Sequence, residues 1–449
     1  MEEKVYGGTF RILDKEYNGQ IRFNNEKYLI LEIYISSPIV NYMDFNYKNI
    51  DIRGNHVTGS KVTLLNCSYK TCHSHVSYCK SIIVFKCEYL VWGEIHDYKI
   101  KSLYTEIENG VIWSGLSGIY QNYFNDGYFD TINFKDGNSY NISYNNYNIN
   151  LYTKFINKLG ARPMPEKATI SERLVIKIES VKNNNLYEYV KVLKDFINLI
   201  TFSTDNNVNI LSMYCEDEDL YQILDDGTKR YIKMAINQVY NPKPIFKQNL
   251  CDDIVKLDKI DGKILNCFLN EYDNIKPIIE LYTMLINNPQ LPSHIQFLNI
   301  IQAVESFHAR FICDSYKKYL KSIDKKFKGN KNEDFYYKFL KPEQQNGIEK
   351  YIVLTSRLND CFIRICPEVF EYFKDGIIAT KITDTRHYFT HYEKNKYDKI
   401  LKGNDLDNVV SLLIIVLNYL IWKHFGLDRK QYLIDNISQL DIDFKKKTP

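Results

Sequence analysis

At 449 residues the chain exceeds what one ordinary hydrophobic core serves, so two or three domains are expected. A hydrophobic share of 45% with 25% charged residues belongs to a folded soluble protein and excludes a disordered chain. The net charge of +3 excludes the uniform basic field of a protein that coats DNA, so any contact with nucleic acid has to be local.

The 37 tyrosines accompany many Asn, Lys and Ile residues, as AT-rich codon usage produces, and are no argument for base stacking. The cysteines stand at 67, 72, 79, 87, 215, 251, 267, 313, 361 and 366. The amino terminus, MEEKVYGGTF, is charged and mixed rather than a signal peptide, so reduced thiols and a cytoplasmic location are expected. The apolar run Leu412–Leu417 is interrupted by Ser411 and Asn418 and reads as a core helix rather than a membrane span.

Residues 1–160 read as a β-rich domain. Apolar or alternating runs recur at Tyr28–Ile35, Lys61–Leu65, Ser81–Phe85 and Tyr140–Tyr144. Turn signals at Asn55, Asp126-Gly127 and Asp136-Gly137 separate them. A sandwich-like or barrel-like sheet is expected, with Trp92 and Trp113 in its core. Gly54–Lys61 imitates a phosphate-binding loop, but its order is Gly-Ser-Lys and a strand follows, so that reading fails. Cys67, Cys72, His73, His75, Cys79 and Cys87 lack the paired spacing of a zinc site, so buried or reduced cysteines are expected, with zinc the weaker alternative.

Residues 161–248 read as a small α/β connecting segment, entered through Pro163 and Pro165. Strands are expected at Ser171–Ile178, Val208–Cys215 and Tyr231–Val239, and a helix at Leu186–Thr201. The acidic run Cys215–Leu220 reads as a solvated turn, with cation binding the weaker alternative.

Residues 249–449 read as an all-α bundle. A helix opens at Pro292-Ser293 with an apolar stripe of Ile295, Leu298, Ile301, Val304, Phe307 and Phe311. Gln302, Glu305 and His308 lie off that stripe, and either face a functional cluster or form a polar surface. The lysine-rich stretch Asp314–Asn332 suits an exposed loop or a contact to RNA backbone. Helices are expected at Gly347–Cys366, which carries Arg357 and Arg364, at Glu368–Lys381, and at Asp407–Phe425.

The chemistry-bearing stretch is Thr385–Tyr392, with Arg386, His387 and His391. A guanidinium keeps its charge and can hold a phosphate, while an imidazole can move a proton near neutral pH. The alternative is a polar helix face. On one straight helix, Arg386 and His391 would lie roughly 140° apart around the axis. Either they sit at an irregular helix start, with Thr383 or Asp384 as N-cap, or a second copy of the chain completes the site. His387 and His391 would share a face. A metal site would need more ligands than these two histidines, and only Asp384 and Glu393 lie nearby.

The pattern Arg386-His387-x3-His391 near the end of a helical bundle resembles the RxxxxH motif of HEPN ribonucleases. Gln302–Arg310 is similar to the preceding helix of the ApeA-type group, and Lys61–Cys67 with Ile112-Trp113 resembles its β-rich amino-terminal domain. The resemblance implies an α+β multidomain protein ending in a HEPN bundle. It also implies a cytoplasmic, metal-independent endoribonuclease without a cofactor, acting as a homodimer in anti-phage defence by abortive infection. The implied catalytic residues are Arg386, His387 and His391, with Glu305, His308 and Arg357 as candidates for support. A phage-derived trigger would act on the amino-terminal domain. The alternatives are a non-catalytic dimerisation or RNA-binding module whose β domain binds a phage or host partner, and a metal-dependent hydrolase.

Overall fold

The structure, a computed structural model, describes residues 3–24, 27–37, 45–75, 80–95, 99–108, 110–123, 129–134, 139–158, 169–238, 255–260, 262–315, 317–319, 321, 352–364, 377–392 and 397–440. The turns at 126–127 and 136–137, both prolines of the 161–165 stretch, Cys79, Cys251, Cys366 and nearly all of the lysine-rich stretch after 321 lie outside these residues. The chain forms two compact units, one of residues 1–196 with 208–245, the other of residues 197–207 with 246–449.

The first unit is built on antiparallel pairing. Six strands, β1 (Lys4–Ile12), β2 (Lys15–Asn24), β3 (Tyr28–Ile35), β4 (Ile50–His56), β5 (Lys61–His75) and β6 (Lys80–Lys86), pair in the order β5-β4-β1-β2-β3-β6. The hairpin of β5 and β6 then closes the ring, with Ser68 opposite Lys86 and His75 opposite Lys80. A closed barrel has no open edge, and every second side chain points inward. Phe10, Ile12, Ile21, Phe23, Leu29, Leu31, Ile33, Ile52, Leu64, Ile83 and Phe85 fill it. Each buried side chain of this size contributes about 1.5–3 kcal/mol. Gly54 faces the same interior, where a Cβ would stand 2.6 Å from the Phe10 ring, so the barrel wall can pass over that ring only without a side chain.

The sheet continues beyond the barrel. The short β7 (Tyr89–Val91) pairs with β5, and from it the order runs through β15 (Lys229–Gln238), β14 (Ile210–Ile223), β8 (Ile100–Ile107), β13 (Thr169–Asn184), β12 (Tyr147–Lys158) and β11 (Tyr140–Tyr144). The strands expected to form a separate segment from 161 are therefore paired into the same sheet as β8. A separate two-stranded sheet joins β9 (Ile119–Tyr123) to β10 (Phe129–Phe134). Trp113, in the single-turn helix α1 (Gly110–Ser114), is fully buried against Phe196 of α2 (Leu186–Thr204). Trp92 is only half-buried and ties the sheet together by donating to Asn237 at 2.7 Å.

The acidic run is not a solvated turn. It lies within β14, where Glu216 and Asp217 are buried. Ser102 and Tyr104 donate to the Glu216 carboxylate at 2.7 and 3.0 Å. Burial of a carboxylate is tolerated when such donors replace water.

The second unit is helical, with α3 (Gly262–Asn270), α4 (Tyr272–Asn287), α5 (Ser293–Phe307), α6 (Leu354–Arg364), α7 (Ile377–His391), α8 (Asn404–His424) and α9 (Lys430–Ser438). By length and composition α8 passes for a membrane span, yet 72% of its apolar window is buried among the other helices. Phe202, Phe268 and Trp422 stack in the core beside it.

Within that core sits a polar knot. Asn418 of α8 donates to the Phe202 carbonyl, to Asp205 and to the Tyr282 hydroxyl at 3.3, 3.2 and 3.1 Å. Arg429 donates to the Asn418 carbonyl oxygen, and Tyr432 of α9 donates to Asp205 at 3.1 Å. Tyr282 of α4 donates to the same carboxylate. Complete burial and the Asp205 charge hold the Tyr282 phenol far above its ordinary pKa, so it remains a donor. Asn418→Ala should lower the stability of the helical unit by about 1–3 kcal/mol, because Arg429 and Asp205 each lose a buried partner. Urea unfolding followed by helical circular dichroism measures it, and an unchanged midpoint would show the knot to be dispensable.

Candidate active site

The site is organised by α7. Ile378, Ala379, Ile382 and Thr385 form its buried side. Phe389 packs against His294 and Phe297 of α5. The helix is continuous from Ile377 to His391, which removes the expectation of a helix start at Thr383 or Asp384. Thr383 and Thr385 lie in mid-helix, where their hydroxyls bond the Ala379 and Lys381 carbonyls one turn back at 2.8 and 2.7 Å. The Thr385 hydroxyl also accepts from the Leu401 amide at 2.9 Å, which ties the following segment to the helix. Tyr392 takes a left-handed backbone, φ 53°, and the helix stops at His391.

Continuity sets the geometry of the motif. Arg386 and His391 are about 140° apart around one axis and leave the helix on different faces. His387 and His391, one turn apart, have ring centroids 4.7 Å from each other. His391 is exposed, whereas Arg386 and His387 are half-buried.

Glu305 comes from α5 and reaches Arg386, with its carboxylate 3.1 Å from the guanidinium. With about a third of each side chain exposed, the pair adds little to stability; it sets an anionic carboxylate beside the guanidinium without an aligned hydrogen bond to Glu305 Oε2.

His308 is placed differently from either sequence reading. It belongs neither to a polar surface nor to the motif, but is completely buried. Ile301, Val304 and Phe307 of the expected α5 stripe are buried, while in its first turns Phe297 and Ile300 are inside and Ile295 and Leu298 only half-buried. At His308 the α-helix widens into one π turn, His308–Ile312. Its ring is held from both sides by α6: Arg357 lies 2.9 Å from Nδ1 and Asp360 lies 2.9 Å from Nε2. A guanidinium can only donate, so Nδ1 accepts, Nε2 carries the proton, and Asp360 receives it as a hydrogen bond from a neutral imidazole. Arg357 also donates to the Ile352 carbonyl at 3.2 Å. α6 is bonded in turn to α7 through Thr355 and Thr383 at 2.9 Å. Asp360 and Thr355 escaped the sequence analysis; the one available signal was that Asp360 stands three residues after Arg357, on the same helical face.

Among the described residues no group of three His, Cys, Asp or Glu side chains could hold a metal ion. Cys67 and Cys87 meet inside the barrel with their sulfurs 3.0 Å apart, and burial raises the Cys67 thiol pKa.

The family model "ApeA N-terminal domain 1" matches residues 5–270, and "Apea-like HEPN" matches residues 298–431. The chain belongs to the ApeA-type HEPN proteins. The HEPN match spans α5 to α9 and contains Glu305, Arg386, His387 and His391. HEPN domains are generally of the ribonuclease type, defence-related, and typically act as RNA-binding dimers. No curated protein and no solved structure matches the chain.

The two clusters around α5 should respond differently to mutation. His308→Ala strips Arg357 and Asp360 of their shared partner and should cost about 3 kcal/mol or more. Glu305→Gln should change stability by less than about 1 kcal/mol. Thermal denaturation of both variants beside wild type checks this, and equal losses would contradict the division into a buried clamp and a surface pair.

Proposed function

We propose that this ApeA-type HEPN protein is a metal-independent endoribonuclease whose site is completed across a homodimer. The observation that carries the reading is the pairing of Arg386 with Glu305 on the same unbroken helix that presents His387 and His391. A pre-oriented guanidinium beside imidazoles is equipment for an in-line attack on a phosphodiester.

In the proposed reaction one His391 takes the proton of a ribose 2′-OH, and the 2′ oxygen attacks the adjacent phosphorus. Arg386, oriented by Glu305, stabilises the charge that grows on the phosphoryl oxygens. The bond from phosphorus to the 5′ oxygen breaks, and that oxygen receives a proton from the second subunit's imidazole. His387 orients its neighbour His391 or the substrate. The products are a 2′,3′-cyclic phosphate and a 5′-hydroxyl. DNA lacks the nucleophile and is not cut. His308 and Arg357 support the reaction only by holding the π turn beside Glu305. The setting we infer is the cytoplasm, in abortive infection, with a phage-derived trigger acting on the amino-terminal domain.

Purified protein should cut total cellular RNA in EDTA, and Arg386→Ala or His391→Ala should reduce the rate at least about a hundredfold. Glu305→Gln should lower the rate while leaving the melting temperature near wild type. Retained cutting by either motif variant, or a strict need for divalent metal, contradicts the mechanism. Mixing wild type with excess His391→Ala should inactivate the wild-type chains it captures, because a mixed dimer lacks one of the two imidazoles. Full wild-type activity in a mixture shown to exchange subunits would contradict the dimer-completed site.

A further inference from the structure

The barrel carries a cleft on its outer wall that the nuclease reaction does not use. It is about 640 Å³ in volume and is lined by Arg11, Glu16, Asp51, Arg53, Lys61 and Glu94, with Thr9 and Asn55 between them. Cavities of roughly 300–1,000 Å³ are the size that takes small ligands.

The sheet register explains how the charges come together. Phe10 and Ile52 point into the barrel, so their neighbours Arg11 and Arg53 point out. Arg11 stands directly opposite Arg53 across the β1–β4 ladder, and Glu16 stands opposite Arg11 across β1–β2. Lys61 stands opposite Asn55, one step diagonally from Arg53. Like charges placed directly opposite in a sheet are destabilising. Arg11, Arg53 and Lys61 are therefore held on three adjacent strands, over roughly 10 Å, with the carboxylates of Glu16, Asp51 and Glu94 interleaved among them.

Arg11 donates from Nε to the Leu13 carbonyl at 3.2 Å. Arg53 donates to the Ile95 carbonyl at 3.1 Å. Asp14 and Glu94 lie 3.6 and 3.7 Å from Arg11 and Lys61, exposed pairs of small energy. Asp51 is engaged by the Asn66 amide and the Tyr187 hydroxyl at 2.7 and 3.1 Å. Glu16 and Glu94 add acceptors at the rim of the cleft. A ligand that satisfies this lining carries a multiply charged phosphate beside hydroxyl or amino donors.

We propose that the cleft of the barrel unit binds a nucleoside phosphate of mononucleotide size, its phosphates on Arg11, Arg53 and Lys61 and its sugar or base donors on Glu16 and Glu94. The site is separate from Arg386 and His391 and does not depend on their role.

Calorimetric titration of the full chain in EDTA with ATP, and with inorganic pyrophosphate as the bare-phosphate probe, tests the proposal. Wild type should bind ATP saturably at one site per chain, and pyrophosphate should compete. Arg11→Glu and Lys61→Glu, both at exposed positions that the barrel core does not need, should each weaken binding at least about tenfold. Arg386→Ala should bind as wild type does. Failure of both ATP and pyrophosphate to bind at millimolar concentration would overturn the proposal. So would binding lost in Arg386→Ala but kept in Arg11→Glu. An oligoribonucleotide that binds through Arg11 where ATP does not would overturn the mononucleotide-sized ligand.

Discussion

The unbroken path of α7 from Ile377 to His391 is the constraint on which the motif depends. A helix allows no choice about where its side chains emerge. Once Thr385 and Ile382 are buried, Arg386 and His391 are fixed on separate faces. Glu305, from the other helix, places its carboxylate beside Arg386. A flexible loop carrying the same residues could bring arginine and histidine together within one copy, but would pay ordering entropy at every turnover. The helix avoids that cost by holding both side chains on a fixed frame.

Two buried polar clusters join the helices of this unit. The His308 clamp joins the end of α5 to α6, and the Thr355–Thr383 bond carries the connection to α7. The Asp205 knot is further along the chain's core and binds α4, α8 and α9 to the end of α2. Apolar packing alone would allow these helices to slide by small amounts at modest cost. Directed bonds to buried groups penalise each slip, because every displaced donor or acceptor is left without a partner. The π turn at His308 fits this account: the extra backbone width lets the ring reach both Arg357 and Asp360, and wide turns of this kind gather at functional sites.

Legibility followed the range of the interactions. Strand alternation in Tyr28–Ile35 and Ser81–Phe85 is local and could be read directly. Closure of the barrel depends on β5 pairing with β4 on one side and β6 on the other, which no local pattern announces. Thr383 and Asp384 looked like helix caps because such residues favour caps; in α7 the Thr383 hydroxyl is instead absorbed by a carbonyl of the preceding turn. The acidic run misled for a related reason, since the donors that make Glu216 tolerable come from β8, more than a hundred residues earlier. His308 was readable only as ambiguous, because its partners stand on α6, across a stretch of sequence with no regular pattern.

On the proposed reading, the separation of Arg386 from His391 also bears on control. A site assembled from two copies is absent from the monomer, so activity follows the dimer population rather than the chain concentration. At concentrations below the dimer dissociation constant that population grows with the square of the total, and modest changes in association produce larger changes in cutting. For an enzyme whose substrate is the cell's own RNA, this dependence supplies restraint without an inhibitor. A ligand alters it only by binding monomer and dimer with different affinity, since equal affinity shifts no equilibrium. A nucleotide in the barrel cleft therefore regulates the enzyme only if its contacts differ between the two states, and a change in dimer affinity on adding ATP is the quantity in which that difference would be read.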